Sequence, residues 1–136
     1  MIYEDLLGLP YLYGARGPQA YDCWGLCLEV AKRVGIILPA VDSPDEEPAA
    51  ICGLMDSMKI DFLKIPGPES YAVVAFQILK PWVNHCGMVL EDKGRFIHIF
   101  RGRNVIIERL DQIYWKGRIE GFYRWPSSDR EDGVTR

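Results

Sequence analysis

The chain changes its hydrophobic rhythm once, at Pro66-Gly67-Pro68, and that change restricts the folds open to it. Before it, apolar residues recur at spacings near three and four. Over 23–34 they are Trp24, Cys27, Leu28, Val30, Ala31 and Val34, the pattern of an amphipathic helix. Asp22 stands where an N-cap belongs, Gly35 where a helix stop belongs, and Pro39 lies beyond. A second helix is predicted over 48–58, with Ile51, Leu54, Met55 and Met58 on one side and Cys52 buried within it. A single helical turn or an irregular lead-in fits residues 1–10.

After Pro68 the pattern is that of strands. Residues 71–79 are rich in β-branched and aromatic side chains. Residues 85–91 and 95–100 flank Asp92-Lys93-Gly94, a hairpin turn with glycine at its end. Further strands are predicted over 105–110 and 119–125, with a short helix capped by Asp111 between them. Helices first and an antiparallel sheet after them make an α+β domain. No repeat or linker divides the chain. Residues 1–126 are read as one domain, and the polar stretch 127–136 as a flexible tail.

A chain of 136 residues, 49% apolar and 26% charged, can bury an adequate core without covalent staples. The net charge of −3 gives no support for binding nucleic acid. Arg95, Arg101, Arg103 and Arg109 are interspersed with Glu108 and Asp111 and read as a solvated strand face. The first residues are acidic, so a secretory signal is not expected, and no apolar run is long enough to span a bilayer. The expectation is a protein made in the cytoplasm with reduced thiols. The four cysteines, Cys23, Cys27, Cys52 and Cys86, do not follow zinc-ligand spacing.

Cys23 is the residue with most chemistry to offer. In the first helical turn it meets unpaired N–H groups and the positive end of the helix dipole, which favour a thiolate. The same N–H groups could receive an oxyanion. A cysteine at a helix start is more often structural, so the position alone leaves both readings open. A nucleophilic cysteine also needs a base, and the chain has two histidines. His85 and His98 fall on the two strands of the predicted hairpin. Whether they share a face depends on a bulge at Gly94, and for His98 a satisfied half-buried histidine is as good a reading as a role. Cys27, one turn along from Cys23, reads as core, and so does Cys86, which should face away from His85.

Four stretches together resemble the NlpC/P60 cysteine peptidases: Pro10-Tyr11-Leu12-Tyr13-Gly14, Asp22-Cys23-Trp24-Gly25-Leu26, His85-Cys86-Gly87-Met88-Val89 and Gly94-Arg95-Phe96-Ile97-His98. The resemblance implies a papain-like fold, with Cys23 as nucleophile, His85 as general base and acid, and His98 as the third residue that orients His85. Tyr11, twelve residues before Cys23, and Trp24 become the candidate substrate contacts. It implies hydrolysis of bacterial peptidoglycan stem peptides, often between D-glutamate and a diamino acid, with no cofactor or metal. The Asp-Cys-Trp-Gly-Leu variant and Ile119-Glu120-Gly121-Phe122-Tyr123-Arg124 look most like the phage tail-tip branch, the tail assembly protein K and its relatives. That branch implies a virion component acting at the host cell wall, with other tail-tip proteins as partners and neither nucleic acid nor membrane insertion. A tail assembly module with little activity, and a processing peptidase for another tail protein, are the alternatives. The chain departs from the family pattern at Pro68-Glu69-Ser70-Tyr71, where Pro-Gly-Asp is usual, and at Gly14-Ala15, where Gly-Gly is usual. The thirteen residues from His85 to His98 are one more than expected.

Overall fold

A computed structural model describes residues 2–126, so the tail expected over 127–136 lies outside the described residues. Helix α1 (Cys23–Arg33) begins and ends where local chemistry dictates. The Asp22 carboxylate accepts the Gly25 N–H at 2.7 Å. At the other end Gly35 takes φ 84°, and the Ile36 and Gly35 N–H groups bond back to Ala31 and Lys32 at 2.9 and 3.1 Å. This doubly bonded stop needs a left-handed residue, hence glycine. Leu26, Cys27, Val30 and Ala31 are fully buried on one face, which packs on strands β3 (His85–Val89) and β4 (Arg95–His98).

With β1 (Leu63–Ile65), β2 (Val73–Phe76), β5 (Ile106–Arg109) and β6 (Ile119–Arg124), these strands form one antiparallel sheet in the order β1-β6-β2-β3-β4-β5. The sheet has a core on each face. Val73, Ala75, Cys86, Met88, Ile97 and Ile99 face α1. Val74, Phe76, Val89 and Phe96 face the other way, against Leu110 and Trp115. The architecture is α+β, with helices packed on an antiparallel sheet as the sequence implied.

Several local expectations are corrected. Leu63–Ile65, expected only as an apolar lead into Pro66-Gly67-Pro68, is a strand that pairs with β6 and stops at Pro66; it exists because it has a tertiary partner. The strand expected over 71–79 shortens to Val73–Phe76, since Tyr71 is left-handed at φ 62° and Leu79 turns into a bridge with Trp82. In the hairpin turn Lys93, not Gly94, holds the left-handed position at φ 66°. The Asp92 side chain accepts the N–H groups of Gly94 and Arg95 and so closes the turn. Helix α3 (Ile113–Lys116) is capped at Gln112 rather than Asp111, whose carboxylate is bound to Arg109 instead.

Helix α2 (Pro48–Lys59) starts with proline in the first turn, where its missing N–H costs nothing. None of its residues is fully buried. Ile51, Leu54, Met55 and Met58 are half-buried, and so is Cys52, against the expectation of burial. Among the described residues no helix is long and apolar enough to cross a membrane.

Candidate active site

Asp22 is more than a cap. Its carboxylate is 2% exposed and accepts four hydrogen bonds. They come from the Gly25 N–H at 2.7 Å, the Gly14 N–H at 3.0 Å, Arg16 Nη1 at 2.7 Å and the Ser43 hydroxyl at 2.7 Å. A buried carboxylate is tolerated when it is paired and fully bonded. The loops around residues 14–16 and 43 are thereby tied to the start of α1. Gly25 is required by the same knot, because a Cβ there would lie 2.3 Å from the Ala15 carbonyl oxygen. Cys23 is thus the first helical residue, at a helix end that the knot immobilises.

Cys23 and His85 line one cavity of about 470 Å³. Tyr11 and Trp24 line it too, so four of the five residues singled out in the sequence meet there. The Tyr11 hydroxyl donates to Glu46 at 3.2 Å, and Arg101 pairs with the same carboxylate at 2.8 Å. Burial, with Cys23 and Glu46 nearby, pushes the Tyr11 phenol well above its ordinary range. The Trp24 indole N–H donates to the Pro39 carbonyl at 3.0 Å, which fixes its ring at the wall. The apolar side of α2, with Ile51, Leu54, Met55 and Met58, forms another wall.

The thiol of Cys23 does not behave as its helix position predicts. The Cys86 thiol neighbours it at the cavity wall. That neighbouring thiol, burial and the Asp22 carboxylate hold it well above the ordinary thiol range. The effect of the helix start is overridden. Cys86 is core, as expected, with its sulfur 3.9 Å from that of Cys27. Its contact with Cys23 was not foreseen.

His85 and His98 share a face. The β3–β4 register pairs Met88 with Ile97 and Val89 with Phe96, which sets His98 opposite Gly87 and diagonal to His85. No bulge intervenes between these pairs. His85 Nε2 and His98 Nδ1 are 2.9 Å apart, and His98 sits behind His85 as seen from the cavity wall that Cys23 shares. Gly87 makes room for this: a Cβ would come within 3.0 Å of the His98 Cβ, the Ile97 carbonyl and the Phe96 ring. Both histidines are buried, at 3% and 1% exposure, among Phe76, Phe96, Phe100 and Trp115. Burial lowers both imidazoles below their ordinary value of 6.5, His85 strongly and with help from His98. For His98, Glu108 pulls the other way.

Glu108 is the residue that sequence reasoning missed. Its Oε2 lies 2.7 Å from His98 Nε2. It had been grouped with a solvated strand face, and for its neighbours that reading fits: Arg95 pairs with Asp92 and Arg109 with Asp111 on the surface. Glu108 differs because the β4–β5 register sets it opposite Phe96, in phase with His98. A lone carboxylate between Ile107 and Arg109, at strand phase with a histidine, was the available signal. Arg16, Ser43 and Glu46 were also missed, since their roles depend on loop closure. Among the described residues, no three histidines, cysteines or carboxylates converge as a metal site would require.

The geometry is a half-buried thiol and a neutral imidazole on one cavity, with the imidazole backed by a second ring and a carboxylate. Such a set can perform nucleophilic acyl transfer. The sequence pattern described as the NlpC/P60 family matches residues 8–124. The chain is 30% identical over 124 residues to the gamma-DL-glutamyl hydrolase of Bacillus subtilis, covering 90% of this chain and 27% of that protein. The chain therefore spans about a quarter of that relative's length. An NlpC/P60 family protein of Bacillus cereus is similar in structure, with a TM-score of 0.66 and 22% identity over 88% of this chain and 36% of that one. The NlpC/P60 domain of the peptidoglycan hydrolase SagA gives a TM-score of 0.56 at 16% identity, over 90% of this chain and 92% of that one. At these identities the two structures speak to the fold.

Proposed function

The chain belongs to the NlpC/P60 family, and from that premise we propose that it is a cysteine peptidase hydrolysing amide bonds in peptidoglycan stem peptides, between D-glutamate and a diamino acid. One observation carries the catalytic part. Cys23, at an immobilised helix start, and His85, whose Nε2 is engaged by His98, line the same cavity. That leaves Nδ1 as the free nitrogen of His85. The substrate class is supported by the names of two relatives, a gamma-DL-glutamyl hydrolase and a peptidoglycan hydrolase.

In this reading the substrate draws the Cys23 thiol away from Cys86. His85 Nδ1 takes its proton as the sulfur attacks the amide carbonyl. The N–H of Cys23 and its neighbour in the first turn receive the oxyanion. The His85 imidazolium then protonates the leaving amine, and a thioester remains on Cys23. Neutral His85 next takes a proton from water, which hydrolyses the thioester and restores the thiol. The finer reading is that the protein is a component of a phage tail tip. Its support is the stretch Asp22-Cys23-Trp24-Gly25-Leu26.

A second reading has one observation in its favour. The resting thiol lies beside Cys86, in surroundings that favour its protonated form, which suits a tail assembly module with little hydrolysis. Mass spectrometry of products from defined muropeptides separates the two. Cleavage at the D-glutamyl bond by the native chain, lost in Cys23→Ala, is expected. Undiminished cleavage by Cys23→Ala sinks the catalytic assignment, and no cleavage by the native chain leaves the assembly reading.

A further inference from the structure

We propose that Glu108 is the positioning residue that sets the protons of the whole imidazole pair, so that the free nitrogen of His85 is the bare, basic one. The inference rests on the reading above, in which His85 is the base for Cys23.

Glu108 Oε2 stands 2.7 Å from His98 Nε2. A carboxylate can only accept, so Nε2 of His98 carries a proton. Burial keeps both rings neutral near pH 7, and a neutral imidazole has one N–H. His98 Nδ1 is therefore bare and accepts across 2.9 Å from His85 Nε2. His85 has then spent its one proton on Nε2, and Nδ1 is left with its lone pair. Two neutral histidines alone would not choose this direction. The chain His98 Nδ1–H to His85 Nε2 is equally well formed, and it leaves a proton on Nδ1 of His85, where a base is needed. The charge at the far end breaks the tie.

The surroundings leave the choice to Glu108. Ring centroids of Phe96 and Trp115 lie 4.5 and 4.8 Å from that of His98, and Phe76 and Phe100 lie 5.5 and 5.2 Å from that of His85. These walls offer π-faces and edges in place of a competing carboxylate. Gly87, opposite His98 and without a side chain, lets the His98 ring lie beside His85 on the same face. Glu108 comes from the other side, where it lines a second cavity of about 670 Å³, and its side chain is 23% exposed. It therefore acts on the reaction through two rings and touches no substrate.

The test uses the full chain, a defined muropeptide, and 15N spectra of the imidazole nitrogens. In the native protein His85 should show a bare Nδ1 and a protonated Nε2, and His98 the same pattern. Glu108→Ala should mix the two directions and lower kcat by about 10–100-fold with KM nearly unchanged, by analogy with the loss of a carboxylate that orients a metal-bound histidine. Glu108→Gln should recover part of the kcat, because its amide oxygen still accepts from His98. The isosteric Gln variant also serves if the Ala variant does not fold. A protonated Nδ1 on His85 in the native protein overturns the proposal without any variant. So does a Glu108→Ala protein with native spectra and native kcat. If Cys23→Ala still hydrolyses the peptide, the peptidase reading fails, while the spectra report on Glu108 independently.

Discussion

The two long helices are alike in sequence and unlike in the molecule. α1 has 11 residues and α2 has 12, and each carries an apolar stripe at helical spacing. α1 buries five residues, Gly25, Leu26, Cys27, Val30 and Ala31, whereas α2 fully buries none. α1 starts on a carboxylate that accepts the Gly25 N–H and three further donors. α2 starts at Glu47, whose side chain makes no capping bond. The stripe of α1 is spent on the sheet, and that of α2 lines the cavity. An apolar stripe predicts a helix, but burial depends on what the rest of the chain brings to it. Here one helix carries the candidate nucleophile rigidly, and the other offers its apolar side to whatever enters the cavity.

The largest effect expected from breaking this contrast is at Asp22. Asp22→Ala strips the cap and leaves the Arg16 guanidinium without its carboxylate, and should cost about 3–5 kcal/mol, read as a fall in the urea midpoint. An Asp22→Ala protein as stable as the native one would show that the knot is not what fixes α1. Leu26 and Leu54 form the direct pair. Leu26→Ala opens a cavity in the core and should cost about 2–5 kcal/mol. Leu54→Ala removes a half-buried side chain and should cost less than about 1.5 kcal/mol. Equal losses would erase the distinction between the helices. On activity the order should reverse in kind: Met55→Ala, on the cavity side of α2, should raise KM for a muropeptide several-fold with kcat little changed.

Acid provides another separation, because the buried histidines belong to the sheet and α2 contains none. Both imidazoles are held below 6.5, so the folded state favours their neutral forms. The stability this lends is full above about pH 6.5 and drains away as pH falls through the lower folded values. The urea midpoint of the native protein should therefore drop more steeply below pH 6.5 than that of a His85→Gln, His98→Gln double variant. Parallel curves would mean the pair is not held neutral. The smallest effect is a gain. Glu47 has the extended backbone of an N-cap, φ −126° and ψ 140°, so Glu47→Ser should stabilise the chain by about 0.5–1 kcal/mol. No gain in midpoint would place the start of α2 elsewhere.

Much of the fold was legible, for reasons that can be named. The limits of α1 follow from Asp22 and Gly35, whose effects are local. The hairpin follows from the turn residues between two apolar runs. Leu63–Ile65 was not legible, since three residues make a strand only beside β6. The expected cap at Asp111 failed because Arg109 competes for the carboxylate at 2.6 Å. At the site, the histidines could be placed on adjacent strands, but their common face depended on the register across the turn. Glu108 was out of reach for the same reason: its inward phase is a property of β5 paired to β4, and the charged residues near it in sequence, Arg109 and Asp111, are exposed.

The amino-acid sequence by itself determined the order of elements, the helix start that carries Cys23 and the candidate partners His85 and His98. It did so because caps, stops and turns act within a few residues and leave their chemistry in the chain. Only the tertiary structure decided which way those groups face. It turned the Cys23 thiol to Cys86, raising the pKa that the helix start should have lowered, and set Glu108 behind His98. Proton positions and burial depend on neighbours brought together from distant parts of the chain, and such neighbours leave no local mark.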